Sequence, residues 1–277
     1  MKIIEHPSAR DFLSAAEAFL SDNEAINNFP LGLARRMEAT PTPGARFLTV
    51  HHPEGAIAGA AVQTPPWRLT LSECSAATGS ALADFLVGQE SITGVSGPAG
   101  PADAMASRWA KRAHVALCQK LTVYVLTQLI PPPPTPGALR VASAEDRPLL
   151  RPWLAAFSAE AIPHDPPPNP ESPTVAQLEM GNTWVWEVDG EAVCFLASGR
   201  STGRGRTIGP VYTPPEHRGR GYAAAATAAA SQVIFDRGFA FCCLLADQAN
   251  PISNRVYQRI GYQGVADHHV YDFVVGG

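Results

Sequence analysis

Apolar residues recur at helical spacing over residues 8–20, where Phe12, Leu13, Ala16, Phe19 and Leu20 fall on one face and Ser8 is placed to cap the start. Residues 24–37 predict a second helix. The pattern then shifts to short branched and aromatic runs. Residues 46–51 and 56–63 flank Pro53-Glu54-Gly55 and predict a β-hairpin. Further along come a strand at 67–71, a helix at 76–87, a strand at 91–95, a helix at 102–112 and a closing pair of strands over 114–130. The run Pro131 to Pro134, followed by Thr135-Pro136-Gly137, can continue neither helix nor sheet, because proline lacks the amide donor. The expected organisation is therefore a first domain over 1–130, an extended linker over 131–137 and a second domain over 138–277.

After the linker the order begins again. Ser143 is placed to cap a helix reaching Phe157 and Glu160, 162–173 is a proline-laden loop, and 174–181 a short helix. Residues 183–188 and 191–197 predict a hairpin about Asp189-Gly190, a pair suited to a tight turn. A glycine- and arginine-rich loop, 198–206, leads to a strand at 207–213. A helix at 223–237, a strand at 239–246, a helix at 251–260 and a last strand or pair at 264–275 complete the pattern. This alternation predicts an α/β protein with a central mixed β-sheet flanked by helices on both faces. Ser143-Ala144-Glu145-Asp146 echoes Ser8-Ala9-Arg10-Asp11, and Asp189-Gly190 echoes Glu54-Gly55, each offset by 135 positions. An internal repeat is the expectation, beside which chance matching of short segments stands open.

Composition narrows the function. With 277 residues and 45% apolar content the chain can bury two cores, and a net charge of −4 argues against a nucleic-acid binder. Cys74, Cys118, Cys194, Cys242 and Cys243 show no ligand spacing and read as reduced, buried thiols in a cytoplasmic protein. Neither an apolar run long enough to span a membrane nor the hydrophobic core of a signal peptide is evident, so no membrane partner is expected. His51-His52 and His268-His269 alternate faces on strands, and no metal is assigned.

The stretch that carries chemistry is Thr207 to Ala223, TIGPVYTPPEHRGRGYA. A strand enters a turn with two glycines and two arginines, and an alanine-rich helix follows. Glycines at positive φ let successive amides converge in front of a helix N-terminus, a natural seat for a pyrophosphate. A P-loop is excluded, since no lysine follows Lys120. Gly219-x-Gly221-x-x-Ala224 also fits a dinucleotide fingerprint, with Asp247 ending the next strand, and an RG-rich surface turn that binds nothing is the plainest alternative. A second segment, Asn250-Pro251-Ile252-Ser253-Asn254-Arg255-Val256-Tyr257-Gln258-Arg259-Ile260-Gly261-Tyr262, follows some thirty residues later. Asn250 can cap its helix, and Ser253 and Tyr257 share a face.

Arg218-x-x-Gly221-x-Ala223 together with the Asn250–Tyr262 segment resembles the paired signatures of the GNAT acetyltransferase superfamily. That resemblance implies tandem GNAT-like domains, the second catalytic and the first a degenerate copy or cap, with acetyl-CoA as co-substrate. It implies backbone contacts to the pantetheine arm from Val211, Tyr212 and Thr213, and pyrophosphate contacts from Arg218, Gly219, Arg220, Gly221, Tyr222 and Ala223. Asn250 and Asn254 would touch the arm or the diphosphate, and Tyr257 would protonate the leaving thiolate as general acid. A phenol, with an ordinary pKa of about 10, carries its proton at neutral pH, as that role requires. The acceptor would be a small-molecule or peptide amine, and the protein a monomer or homodimer. The base is open: strand 207–213 has no acid, Glu187 is one candidate, and Glu216 and His217 read as solvated. Loop 162–173, with His164-Asp165, and the hairpin are placed for the acceptor, while Trp184 and Trp186 read as core. The first half cannot repeat the chemistry. Its counterpart of the phosphate turn, residues 70–78, has neither a glycine pair nor arginine, and its counterpart of the tyrosine helix has no tyrosine. An acyl-CoA-responsive regulator and a dinucleotide-binding protein are the competing readings.

Overall fold

The computed structural model describes residues 1–89, 91–166 and 181–274. Among these, the chain forms two compact units, one of residues 1–123, 247–249 and 265–274, the other of 124–166, 181–246 and 250–264.

In the first unit β1 (Lys2–His6), β2 (Arg46–His51) and β3 (Ile57–Gln63) pair antiparallel, and β4 (Leu69–Leu71) pairs antiparallel with β3 and parallel with β5 (Gly94–Pro98). Next in order come β12 (Gln263–Val274) and β6 (His114–Leu126). Neighbouring strand residues point to opposite faces, so adjacent Phe47 and Leu48 serve different cores. Phe47 packs with Phe12, Leu20 and Leu31 of α1 (Ala9–Ser21) and α2 (Asn28–Ala39). Leu48 packs with Leu82, Leu86 and Met105 of α3 (Ala76–Leu86) and α4 (Ala99–Trp109). Ser8 caps α1 as expected, accepting from the Asp11 amide at 3.2 Å.

In the second unit the strands lie in the order β11 (Phe241–Asp247), β10 (Gly205–Tyr212), β9 (Glu191–Ser201), β8 (Thr183–Val188), β7 (Ala138–Val141), all antiparallel except the β10–β11 pair. Asp189 and Gly190 turn the β8–β9 hairpin with φ of 50° and 83°, the two positive values that a twist-matched two-residue turn requires. One face carries α5 (Arg147–Ala161), whose Leu150 joins Val185, Phe195 and Tyr212. A capping box of Ser143 and Asp146 starts the turn before α5. The other face carries α6 (Tyr222–Asp236) and α7 (Pro251–Arg259) over Trp184, Trp186, Leu196 and Leu244.

The order β1-α1-α2-β2-β3-β4-α3-β5-α4-β6 recurs as β7-α5-β8-β9-β10-α6-β11-α7-β12. The counterpart of α2, expected at 174–181, lies outside the described residues apart from Gly181. A repeated architecture therefore stands behind the 135-residue offset, and the chain is α/β with helices flanking mixed sheet.

Several boundaries differ from those expected. Glu24 and Asn27 are buried in turns that precede α2, because the Asn27 side chain bonds the Leu20 carbonyl and the Glu73 amide instead of facing solvent on a helix. β5 and α4 exchange Pro98 and Ala99 where a loop was expected, and 114–126 is one long strand rather than two. β9 and β10 reach Ser201 and Gly205, leaving only a three-residue turn of the expected 198–206 loop. The division of the chain also differs. The proline segment is not the boundary: Trp186 donates to the Pro136 carbonyl at 2.9 Å, which ties it to the second unit. Tyr124 and Leu126 lie in the second unit's core, while β12 pairs His268–Asp272 with Pro98–Gly94 of β5 and so completes the first. Among the described residues no helix is long and apolar enough to cross a membrane, and no cluster of His, Cys, Asp and Glu could hold a metal.

Candidate functional site

Strand β10 pairs with β11 only from Gly205 to Thr207, opposite Phe241 to Cys243. Its register with β9 shifts between Ile208 and Val211, at Gly209-Pro210. Beyond Thr207 β10 makes no further pairing with β11. Val211, Tyr212 and Thr213 lie on this stretch. The Thr213 hydroxyl is buried beside the Cys194 thiol, and Tyr212 packs into the α5 core.

The chain next makes a single 3₁₀ turn, Pro215–His217, extends through Arg218 and enters α6. Gly219 and Gly221 take φ of 78° and 86°, the left-handed region that L side chains avoid. Gly221 is the N-cap, and no side chain caps the helix. The amides of Tyr222, Ala223 and Ala224 belong to the first turn, where no intrahelical acceptor exists, and the helix dipole adds about half a positive charge there. In the first unit the matching end is closed: Ser75 caps α3 by accepting from the Thr78 amide at 3.2 Å. A Cβ on Gly221 would lie 3.2 Å from Thr135 Oγ1, so the proline segment forms a wall at this turn. Tyr222 is buried and anchors the helix start.

The arginines are partly committed. Arg218 donates to the Thr213 carbonyl at 2.8 Å and to both Glu160 oxygens at 3.0 and 2.8 Å, and lies over the Tyr212 ring. Arg220 donates to the Glu216 carbonyl. Glu160, on α5, is a site residue that the sequence did not single out, since an acid in a helix carries no motif. It brackets the cation beside the phosphate turn and, with burial ahead of it as a cause, holds the Tyr212 phenol above its ordinary range.

Tyr257 projects from α7 against the same core. Its ring sits 6.3 Å from Tyr124 and 5.9 Å, edge-on, from Tyr262. Burial pushes its phenol well up, with the nearby Cys194 thiol as a lesser cause. Cys194, itself pushed up to about 12 by burial, lies beside Thr213 and belongs to the core cluster against which Tyr257 packs. Among the described residues the Tyr257 hydroxyl has no hydrogen-bond partner. Asn250 caps α7, accepting from the Ser253 amide at 3.1 Å. The Asn254 carboxamide is tied within the protein: it donates to the Asn250 carbonyl at 2.7 Å and accepts from the Tyr124 hydroxyl at 2.9 Å.

The base candidates lie elsewhere. Glu187 is ion-paired with Arg140, which also grips Asp146. His217 is not solvated as expected: its side chain is only 14% exposed and its Nε2 faces Glu191 at 3.6 Å. Glu216 is exposed. His164 and Asp165 follow α5, while the acceptor loop beyond Pro166 falls outside the described residues. Trp184 and Trp186 are buried under α6, as expected for core.

Residues 149–262 match the model of the acetyltransferase (GNAT) family. The second unit carries a GNAT acetyltransferase domain. No curated protein matches the chain. Among solved structures, a GCN5-related N-acetyltransferase from Sphaerobacter thermophilus is similar at 20% identity and a TM-score of 0.64, covering 99% of this chain and 96% of that one. A GNAT-family acetyltransferase from Colwellia psychrerythraea aligns over all of both chains at 12% identity and a TM-score of 0.59. A tandem GNAT protein from the clavulanic acid biosynthesis pathway aligns over 100% of this chain and 99% of that one, at 13% and 0.57. At such identities the likeness is one of fold, and it spans nearly the whole of this chain. The family match ends at residue 262, just before β12.

Proposed function

We propose that the second unit transfers an acetyl group from acetyl-CoA to a primary amine by direct attack. The observation that carries this reading is the uncapped start of α6 behind two left-handed glycines, set beside a strand whose pairing with β11 ends at Thr207. The amides of residues 219–223 would hold the diphosphate, with Arg220 adding charge, and the edge at Val211 to Thr213 would pair with the amide-bearing arm. Asn250 would serve through its position at the helix start. Acetyl-CoA supplies the activated thioester. A neutral amine attacks its carbonyl carbon, the carbon–sulfur bond breaks, Tyr257 donates its proton to the departing thiolate, and the proton that the nitrogen sheds on forming the amide passes to solvent, from which Tyr257 is reprotonated. A thiolate released without a donor would leave at higher cost, since a free thiol has a pKa of about 8.5. We infer a small-molecule or peptide acceptor for a monomeric or dimeric enzyme.

Release of free thiol on mixing acetyl-CoA with an amine panel tests the proposal directly. Amine-dependent release is expected. Tight acetyl-CoA binding without release would instead support a regulator, and thermal stabilisation by NAD rather than acetyl-CoA would support the dinucleotide reading. A ligand at a hundredfold excess over Kd adds about 2.7 kcal/mol, a shift easily read.

A further inference from the structure

Three tyrosines meet beside α7, and they are not equivalent. The Tyr262 hydroxyl is bonded to Ser231 Oγ at 3.0 Å, and the Tyr124 hydroxyl donates to Asn254 Oδ1 at 2.9 Å while accepting from Gln258 Nε2 at 3.4 Å. Tyr257, between their rings, has no such partner among the described residues. We propose that Tyr124 is a positioning residue, which fixes the orientation of α7 and thereby aims the Tyr257 hydroxyl at the reacting sulfur.

α7 has no fully buried residue of its own, and Tyr257 is the α7 side chain packed on the core, so a single apolar contact sets its rotation. Asn254 and Gln258 are four apart and share one face of the helix, flanking the turn that carries Tyr257. Tyr124 is 4% exposed and rooted in the core on β6, so both contacts run to a rigid point. A single buried phenol thus grips the helix one residue after Tyr257 and three before it. It also accounts for the Asn254 carboxamide, which the Tyr124 bond and the Asn250 carbonyl occupy. Misplacing a catalytic group by about 1 Å can cost a hundredfold in rate, so a grip of this kind has kinetic weight.

This inference rests on Tyr257 being the proton donor, and the test separates the two claims. Tyr124→Phe removes one oxygen and keeps the ring. Its kcat should fall about tenfold, between the loss of one hydrogen bond and full misplacement, with KM for acetyl-CoA within about twofold of wild type on the same grounds. In a Tyr257→Phe background the same substitution should change kcat no further, because the group it aims is gone. Amide hydrogen exchange over residues 251–260 should quicken in Tyr124→Phe, which loses both contacts, and also in Asn254→Ala, which keeps the one from Gln258. Equal kcat losses in both backgrounds, or unaltered exchange in α7, would overturn the positioning role. Full activity in Tyr257→Phe alone would instead remove the acid assignment, leaving the exchange data to decide whether Tyr124 holds the helix.

Discussion

Gly221 and Tyr257 set what the site can do. At Gly221, a φ of 86° strains any L side chain, and Thr135 Oγ1 would crowd an added Cβ at 3.2 Å. Gly221→Glu should therefore abolish acetyl-CoA binding by calorimetry, since it adds strain, bulk and a negative charge at the proposed diphosphate seat. Retained affinity would place the coenzyme elsewhere. Tyr257→Phe should lower kcat on the order of a hundredfold with coenzyme affinity kept. Because burial raises this phenol, the protonated, competent form extends beyond the ordinary range, and Tyr257 should impose no alkaline fall in kcat below about pH 10. A falling limb near pH 8 that vanishes in Tyr257→Phe would contradict that. Gly219, Gly221 and Tyr257 were legible in the sequence because their chemistry is written as short spacing. Tyr124, Thr135 and Glu160 were not, since each reaches the site through tertiary packing and lies in no motif.

At the scale of elements, the structure reproduces what local rules govern. Ser8 and Asn250 cap the helices they were expected to cap, Ser143 caps the turn that leads into α5 rather than α5 itself, and Asp189-Gly190 makes its hairpin. Edge strands β1 and β7 went unread because Lys2–His6 and Ala138–Val141 are short and half-exposed, with little alternation to mark them. The start of α5 offers a quantitative check. Asp146 accepts from two Arg140 nitrogens, both at 2.8 Å, and from the Ser143 amide at 2.7 Å. The Arg140 guanidinium holds its carboxyl below the ordinary value of 3.8, against the opposing effect of burial. A depressed carboxylate contributes stability that is present above the unfolded-state value and is lost as pH falls through the folded one. Asp146→Asn should thus cost about 2 kcal/mol near pH 6, discounted for the part-exposed arginine. Urea midpoints of variant and wild type should converge below about pH 4; a gap independent of pH would deny the ion pair its part.

The molecule as a whole departs most from a linear reading, because the chain passes between its two units more than once. A proline run is a strong local sign of a boundary, and nothing in the sequence of β12 shows that His268 to Asp272 pair with β5. The family match, ending at residue 262, stops just short of that passage. This has a consequence for the catalytic half on its own. A fragment of residues 138–277 would omit Tyr124 and Leu126, 4% and 0% exposed in the second unit's core, and the Pro136 carbonyl that satisfies Trp186. Losing the Leu126 side chain alone should cost about 2–5 kcal/mol, a large share of the usual net stability of a domain. The same fragment would carry the β5-pairing part of β12 with no strand to pair with. A fragment of residues 124–264 restores the core residues and drops the orphan strand. It should unfold at the higher urea concentration of the two, followed by tryptophan fluorescence, although it has no more of the motif residues. If 138–277 unfolds cooperatively at the midpoint of the full chain, the core contribution of Tyr124 and Leu126 is negligible, and the second unit ends where the prolines suggested.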